Sequence, residues 1–137
     1  MKIQEVQELT SVHNILVAED KPMLRESLQQ MLGYFFAQVD AAADGQEALD
    51  QPAENSYDIV LTDLRMPRMS GFQLLQEIRQ QSPQQPIVVI SAHEDEVLRR
   101  ELVVYKVHYL SKPVILEELL KVVIPICQSL QFENQSC

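Results

Sequence analysis

Apolar residues recur along this chain in two rhythms. The stretches "ILVAED" (15–20), "DIVLTD" (58–63) and "PIVVISA" (86–92) are apolar almost without a break, while "AQVDAAADG" (37–45) and "HYLS" (108–111) are shorter and more mixed. All five read as strands. Between them the spacing changes to three and four. Leu24, Leu28, Met31, Leu32 and Phe35 share one helical face, as do Phe72, Leu75 and Ile78, and then Leu116, Leu119, Leu120, Val123 and Ile124. Pro22 opens the first of these helices, a position that tolerates the missing N–H.

Strands and helices therefore alternate five times. The second helix, "QEALDQ", follows an Asp44-Gly45 turn and is cut near Pro52; the fourth spans "EDEVLRRELVVY"; the fifth is expected to end near Pro125. Nearly continuous apolar strands need cover on both faces, which predicts a doubly wound α/β domain with a parallel five-stranded sheet. The polar stretch 1–14 is expected to form a loose arm, residues 15–130 the domain, and 131–137 a polar tail.

Composition narrows the functional classes. Hydrophobic residues make up 46% of the 137 and charged residues 23%, so the chain has enough apolar surface to build a core. The net charge of −9 argues against direct nucleic-acid binding, which needs clustered Lys and Arg. Cys127 and Cys137 have neither disulfide nor metal-ligand spacing. No apolar run has the length of a membrane span, and the N-terminal stretch lacks a signal-peptide core. A cytoplasmic setting is the default expectation.

Right-handed crossovers bring all strand ends to one edge, where ligands bind in open sheets of this kind. Polar residues gather there: Glu19 and Asp20 after the first strand, Asp63 at the end of the third, Ser91 at the end of the fourth, Lys112 after the fifth. Singly, each has an ordinary reading, Asp63 as a turn former, Ser91 as a cap, Lys112 as a surface charge. Together they form a set with one chemistry. Three carboxylates in one cleft repel one another unless a cation neutralises them. Oxygen ligands of this kind suit Mg²⁺ or Mn²⁺, and a carboxylate can itself take up a phosphoryl group.

In order and near-usual spacing, "ILVAED", "LTDLRMP…G", "VVISA" and "YLSKP" resemble the receiver domain of two-component response regulators, including single-domain chemotaxis-type regulators, from about Ile15 to Leu130. The resemblance implies a flavodoxin-like sheet of strand order 2-1-3-4-5. It also implies that Asp63 accepts a phosphoryl group from a histidine kinase or phosphotransfer protein. Mg²⁺ (or Mn²⁺) would bind Asp20, Asp63 and the backbone carbonyl of Arg65, with Glu19 acting through water. Ser91 would hydrogen-bond the phosphoryl group, Lys112 would pair with its oxygens, and the Lys112–Pro113 bond would be cis. Tyr109 would turn inward as Ser91 moves, switching an output face made of the fourth helix, fifth strand and fifth helix. That face would meet a protein partner or a second copy. Arg65 and His93 stand where the family varies its autodephosphorylation rate. Beyond such self-phosphoryl transfer and autodephosphorylation no enzyme activity is implied.

Two rivals stay open: a pseudo-receiver that binds partners without phosphorylation, and a Mg²⁺-dependent aspartyl-phosphate phosphatase. The phosphatase reading is the weaker, because Arg65 stands where the second aspartate would act as acid, and arginine does not release its proton. The chain is expected to be a single-domain regulator or a receiver excised from a larger protein. One departure is plain. Tyr105 and Lys106 replace the Gly-Ala pair that receivers usually carry before the last strand, so the fourth helix is expected to be shortened or shifted. Ile115, Val122 and Ile126 lie partly off the core stripe of the last helix. With Val97, Val103 and Val104 they give the output side surplus apolar surface.

Overall fold

The computed structural model describes residues 1–51, 56–92 and 96–135. Its elements run α1 (Ile3–Thr10), β1 (Asn14–Ala18), α2 (Pro22–Gly33), β2 (Gln38–Ala42), α3 (Gly45–Leu49), β3 (Ile59–Asp63), α4 (Gly71–Gln81), β4 (Ile87–Ser91), α5 (Glu96–Glu101), a 3₁₀ turn (Leu102–Tyr105), β5 (His108–Ser111) and α6 (Leu116–Gln135). The strands form one parallel sheet in the order β2-β1-β3-β4-β5. This is the doubly wound, flavodoxin-like arrangement. The chain leaves β1 toward β2 and then returns to lay β3 on the other side, so the order reverses between β1 and β3.

Alternation along each strand divides the core. Ile15, Val17, Ile59, Leu61, Val88 and Ile90 face α2 and α6, packing on Leu28, Leu32, Leu119 and Val123. Val60, Ile87 and Val89 face the other way, onto Leu75 and Leu102, while Leu16 and Ala18 pack with Leu74 and Ala48. With both faces buried, the three central strands β1, β3 and β4 have no solvent side to make polar, which is why they read as unbroken apolar runs, while the edge strands β2 and β5 are partly exposed and mixed.

Three sequence expectations change. Residues 1–14 are no loose arm: residues 3–10 form α1, which packs against α6 and buries Val6 and Leu9. Gln7 Nε2 and Thr10 Oγ1 donate to the carbonyls of Tyr34 and Phe35, tying α1 to the end of α2. The octet carries three apolar residues, Ile3, Val6 and Leu9, among glutamine and glutamate, and Ile3 stays exposed, so the periodic signal is too short to read as a packed helix. Second, the last helix does not stop at Pro125 but carries it inside and runs to Gln135, through part of the expected tail. Burial of Ile126 and Cys127 in the core outweighs the loss of one backbone bond. Ile126, expected off the core stripe, is therefore core, whereas Leu116 is exposed. Third, Asp44-Gly45 is a helix start: Asp44 caps α3 by accepting from the Glu47 N–H at 2.8 Å. The fourth predicted helix is shortened, as the missing Gly-Ala pair led one to expect: six α residues are followed by a 3₁₀ turn. Pro52, His93 and Cys137, each invoked from sequence, lie outside the described residues.

The 3₁₀ turn ends at Lys106, whose backbone is left-handed, φ 56° and ψ 57°. Arg79 holds this turn in place. Its guanidinium donates to the carbonyls of Tyr105 (2.7 Å), Gln85 (2.7 Å), Ser82 and Lys106 (both 3.3 Å). One side chain thereby satisfies carbonyls that two loops leave open.

Candidate functional site: an acidic cluster at the carboxyl edge

β1 ends at Ala18 and delivers Glu19 and Asp20 to the edge; β3 ends on Asp63 beside it. These three carboxylates lie at the point where the strand order reverses, and their ligand oxygens are all within 4.8 Å of one another. Glu19 and Asp63 are buried and Asp20 is partly so. Lys112, just past β5, closes the group with Nζ 2.7 Å from Asp63 Oδ2. Its backbone N–H donates to the Ser91 carbonyl at 2.9 Å, and the Lys112–Pro113 peptide bond is cis.

The cluster is charged against its surroundings. Glu19 accepts from the Lys21 N–H at 3.1 Å through one oxygen; its other oxygen, Asp20 Oδ1 and the Ser91 hydroxyl are buried without a partner. Burial, opposed by the Lys21 hydrogen bond and reinforced by Asp63 and then Asp20, pushes the Glu19 pKa up to about 8. Burial alone would lower the pKa of Lys112, but its hydrogen bond and charge pairing with Asp63 outweigh it and hold the amine above its usual value. Unbonded carboxylate oxygens converging in a buried cleft match the ligand set of a hard divalent cation.

Backbone geometry makes the cleft. Gly71 donates to the Leu64 carbonyl at 3.0 Å, folding the loop after β3 onto itself; a Cβ on Gly71 would lie 1.8 Å from the Asp63 carbonyl oxygen. Only glycine fits that approach. The Arg65 N–H reaches back to Asp63 Oδ1 at 3.2 Å, while the Arg65 side chain is exposed. The same loop is pinned to α3, where Gly45 N–H donates to the Met69 carbonyl at 2.9 Å and Arg68 pairs with Asp44 at 3.1 Å.

Tyr109 lies in mid-β5, level with Val89 on β4, away from the carboxylates. Its hydroxyl donates to the Arg99 carbonyl at 2.8 Å, and the Arg99 guanidinium carbon stands 4.8 Å above its ring. Burial raises the Tyr109 pKa, with the Arg99 charge pulling the other way. The structure thus brings Glu19, Asp20, Asp63 and Lys112 together, sets Ser91 beside them on β4, and ties Tyr109 to α5. One contributor escaped the sequence reading. Arg25, in the first turns of α2, donates to the carbonyls of Glu19 (2.9 Å) and Asp20 (3.4 Å) and so fixes the turn that carries both carboxylates. An arginine five residues after an acidic pair, early in the next helix, is the signal that could have revealed it.

The family profile described as response regulator receiver domain matches residues 15–124. This chain belongs to that family. Among curated relatives it is similar to response regulator MprA of Mycobacterium sp. (strain KMS), 41% identical over 108 residues, covering 77% of this chain and 46% of that protein. Response regulator RR06 of Streptococcus pneumoniae serotype 2 is 38% identical over 109 residues, 79% of this chain and 50% of the relative. Sensor histidine kinase RcsC of Salmonella typhi matches over 106 residues at 41% identity, 77% of this chain but 11% of the kinase. The chain thus spans about half the length of the two regulators. Among solved structures, the REC domain of AraT from Geobacillus stearothermophilus superposes with a TM-score of 0.81 at 28% identity, covering 90% of this chain and 98% of its own. The Vibrio cholerae chemotaxis protein CheY4 gives 0.77 at 27% identity, with 84% and 98% covered. The receiver is a signalling module of two-component systems, and among its described residues no helix is long and apolar enough to cross a membrane.

Proposed function

We propose that this receiver takes a phosphoryl group onto Asp63 from the phosphohistidine of a histidine kinase or phosphotransfer protein, and that the adduct switches its affinity for a protein partner. One observation carries the reading: the Asp63 carboxylate ends β3 in a buried cleft, paired at 2.7 Å with Lys112 and flanked by the unbonded oxygens of Glu19 and Asp20. In the transfer an Asp63 oxygen forms the new O–P bond as the donor's N–P bond breaks, and the donor imidazole leaves neutral after taking a proton. Lys112 holds one Asp63 oxygen and is placed to meet the charge on the phosphoryl oxygens. Ser91, buried with an unbonded hydroxyl, supplies a donor to the same group.

Glu19, Asp20, Asp63 and the backbone carbonyl of Arg65 would hold Mg²⁺ or Mn²⁺. When bound, such an ion neutralises the carboxylates and the charge developing on the phosphoryl group. Arg65 and His93 are assigned to setting the lifetime of the adduct. Tyr109 is the relay: engagement of Ser91 by the phosphoryl group changes the balance between its bond to Arg99 and an inward position. The affected surface is α5 with the 3₁₀ turn after it, β5 and the start of α6, where Val97, Val103, Val104 and, just before α6, Ile115 are exposed. A downstream protein or a second copy would dock there.

The test is intact-mass analysis after incubation with acetyl phosphate and Mg²⁺, beside Asp63→Asn. An adduct that needs metal and is lost in the variant supports the reading. If a folded wild type gains no adduct from acetyl phosphate or from any phosphorylated histidine kinase supplied, the protein is a pseudo-receiver, a constitutive binding module.

A further inference from the structure

A cavity lies at the opposite end of the sheet from Asp63. It holds about 570 Å³, within the roughly 300–1,000 Å³ usual for small-molecule sites. The segment 83–86 that leads into β4, residues 106–108 that lead into β5, and one face of α6 enclose it. It is therefore at the amino edge of the sheet, with His108 at one end of the four-residue β5 and Lys112 just beyond the other.

Three observations set this cavity apart. The first is charge. Arg79, Lys106 and His108 line it, and no carboxylate does among the described residues, although the chain as a whole carries a net charge of −9. Lys106 Nζ and the His108 ring take part in no ion pair among the described residues, and Arg79 is satisfied by neutral carbonyls alone. The cavity is a positive recess in an acidic protein. The second is backbone strain. Lys106 occupies a left-handed conformation that glycine would adopt more cheaply, so a cationic side chain stands at the rim where the backbone favours none. The third is the origin of the wall. Pro125, Ile126, Ser129 and Leu130 belong to the part of α6 that lies beyond the residues matching the family profile, 15–124. That extension is kept helical through an internal proline, and it supplies the apolar side of the recess.

We infer that this recess binds a small organic anion, a carboxylate or phosphonate-like group on a compact apolar body. The anionic head lies between Lys106 and His108 under the fixed charge of Arg79, and the apolar body rests on Pro83, Pro125, Ile126 and Leu130. Burial lowers the Arg79 pKa, and an incoming anion would offset that desolvation as a counter-charge. Nothing in this inference depends on phosphorylation of Asp63.

The experiment is a ¹H–¹⁵N correlation titration of the full chain with benzoate and with phenylphosphonate, in EDTA so that no metal recruits the anion to the acidic cluster. Benzyl alcohol and benzylamine serve as neutral and cationic controls. The expected result is saturable shifts in amides 83–86, 106–108 and 125–130 with both anions and with neither control. Lys106→Gly, which suits the backbone and keeps the fold, and His108→Gln should each weaken binding about threefold to fivefold, the size of one partly exposed charge pair. Absence of saturation by about 10 mM, beyond any specific affinity of interest, overturns the inference. Equal binding of benzyl alcohol, affinity unchanged in both variants, or shifts centred on Asp63 and Lys112 overturn it as well.

Discussion

Glu19 has no solvent exposure and one unbonded oxygen, and its pKa of about 8 lies well above the ordinary 4.5. Between those two values the folded protein binds more protons than the unfolded chain, so stability is present below about 4.5 and is lost as pH rises toward 8. Metal-free protein should therefore melt at steadily lower temperature from pH 5 to pH 8, and Glu19→Gln should flatten that slope. A thermal melt series in EDTA checks this; a wild-type slope that matches the variant's contradicts it. Glu19 also shows what a residue pattern conveys. Its place after an apolar strand was readable, but its titration depends on Asp63 and Asp20, which only folding brings near. Lys106 is the second residue-scale case. Relief of its left-handed backbone by Lys106→Gly is expected to raise stability by about 1 kcal/mol, read as a higher urea midpoint at unchanged slope.

At the scale of elements, the strands and the central helices were legible because each has a full apolar stripe. The two ends were not. In α1 only Val6 and Leu9 carry the packing, and their burial depends on α6 and on the turn after α2, which lie far along the chain. Leu9→Ala should cost about 2 kcal/mol, where truncation in a loose arm would cost nothing; denaturant titration distinguishes the two. Pro125 misled in the opposite direction. Proline opposes a helix interior by local rules, yet Ile126 and Cys127 beyond it are drawn into a core that local rules do not contain. The divided fourth helix was foreshadowed by the missing Gly-Ala pair. The means of holding it, Arg79 reaching from α4 to Tyr105 and Lys106, was not. Arg79→Ala should cost about 2 kcal/mol and loosen the 3₁₀ turn, visible as faster amide exchange at 102–106.

At the scale of the whole molecule, the acidic cluster joins the ends of β1 and β3 with Lys112 from beyond β5, so its charge bears on the fold as a unit. Mg²⁺ at about a hundred times its Kd is expected to stabilise the protein by about 2.7 kcal/mol, and Asp63→Ala should remove most of that gain. An unchanged melting temperature on adding Mg²⁺ would count against the metal assignment. The sequence by itself determined the alternation of strands and helices, the parallel sheet, and which polar residues stand at strand ends. Those follow from periodicity and from crossovers that have one favoured hand. Tertiary structure alone decided the protonation of Glu19, the docking of α1, the continuation of α6 and the positive recess at the amino edge. Each depends on groups distant in sequence, whose burial and mutual fields do not exist until the chain has closed around them.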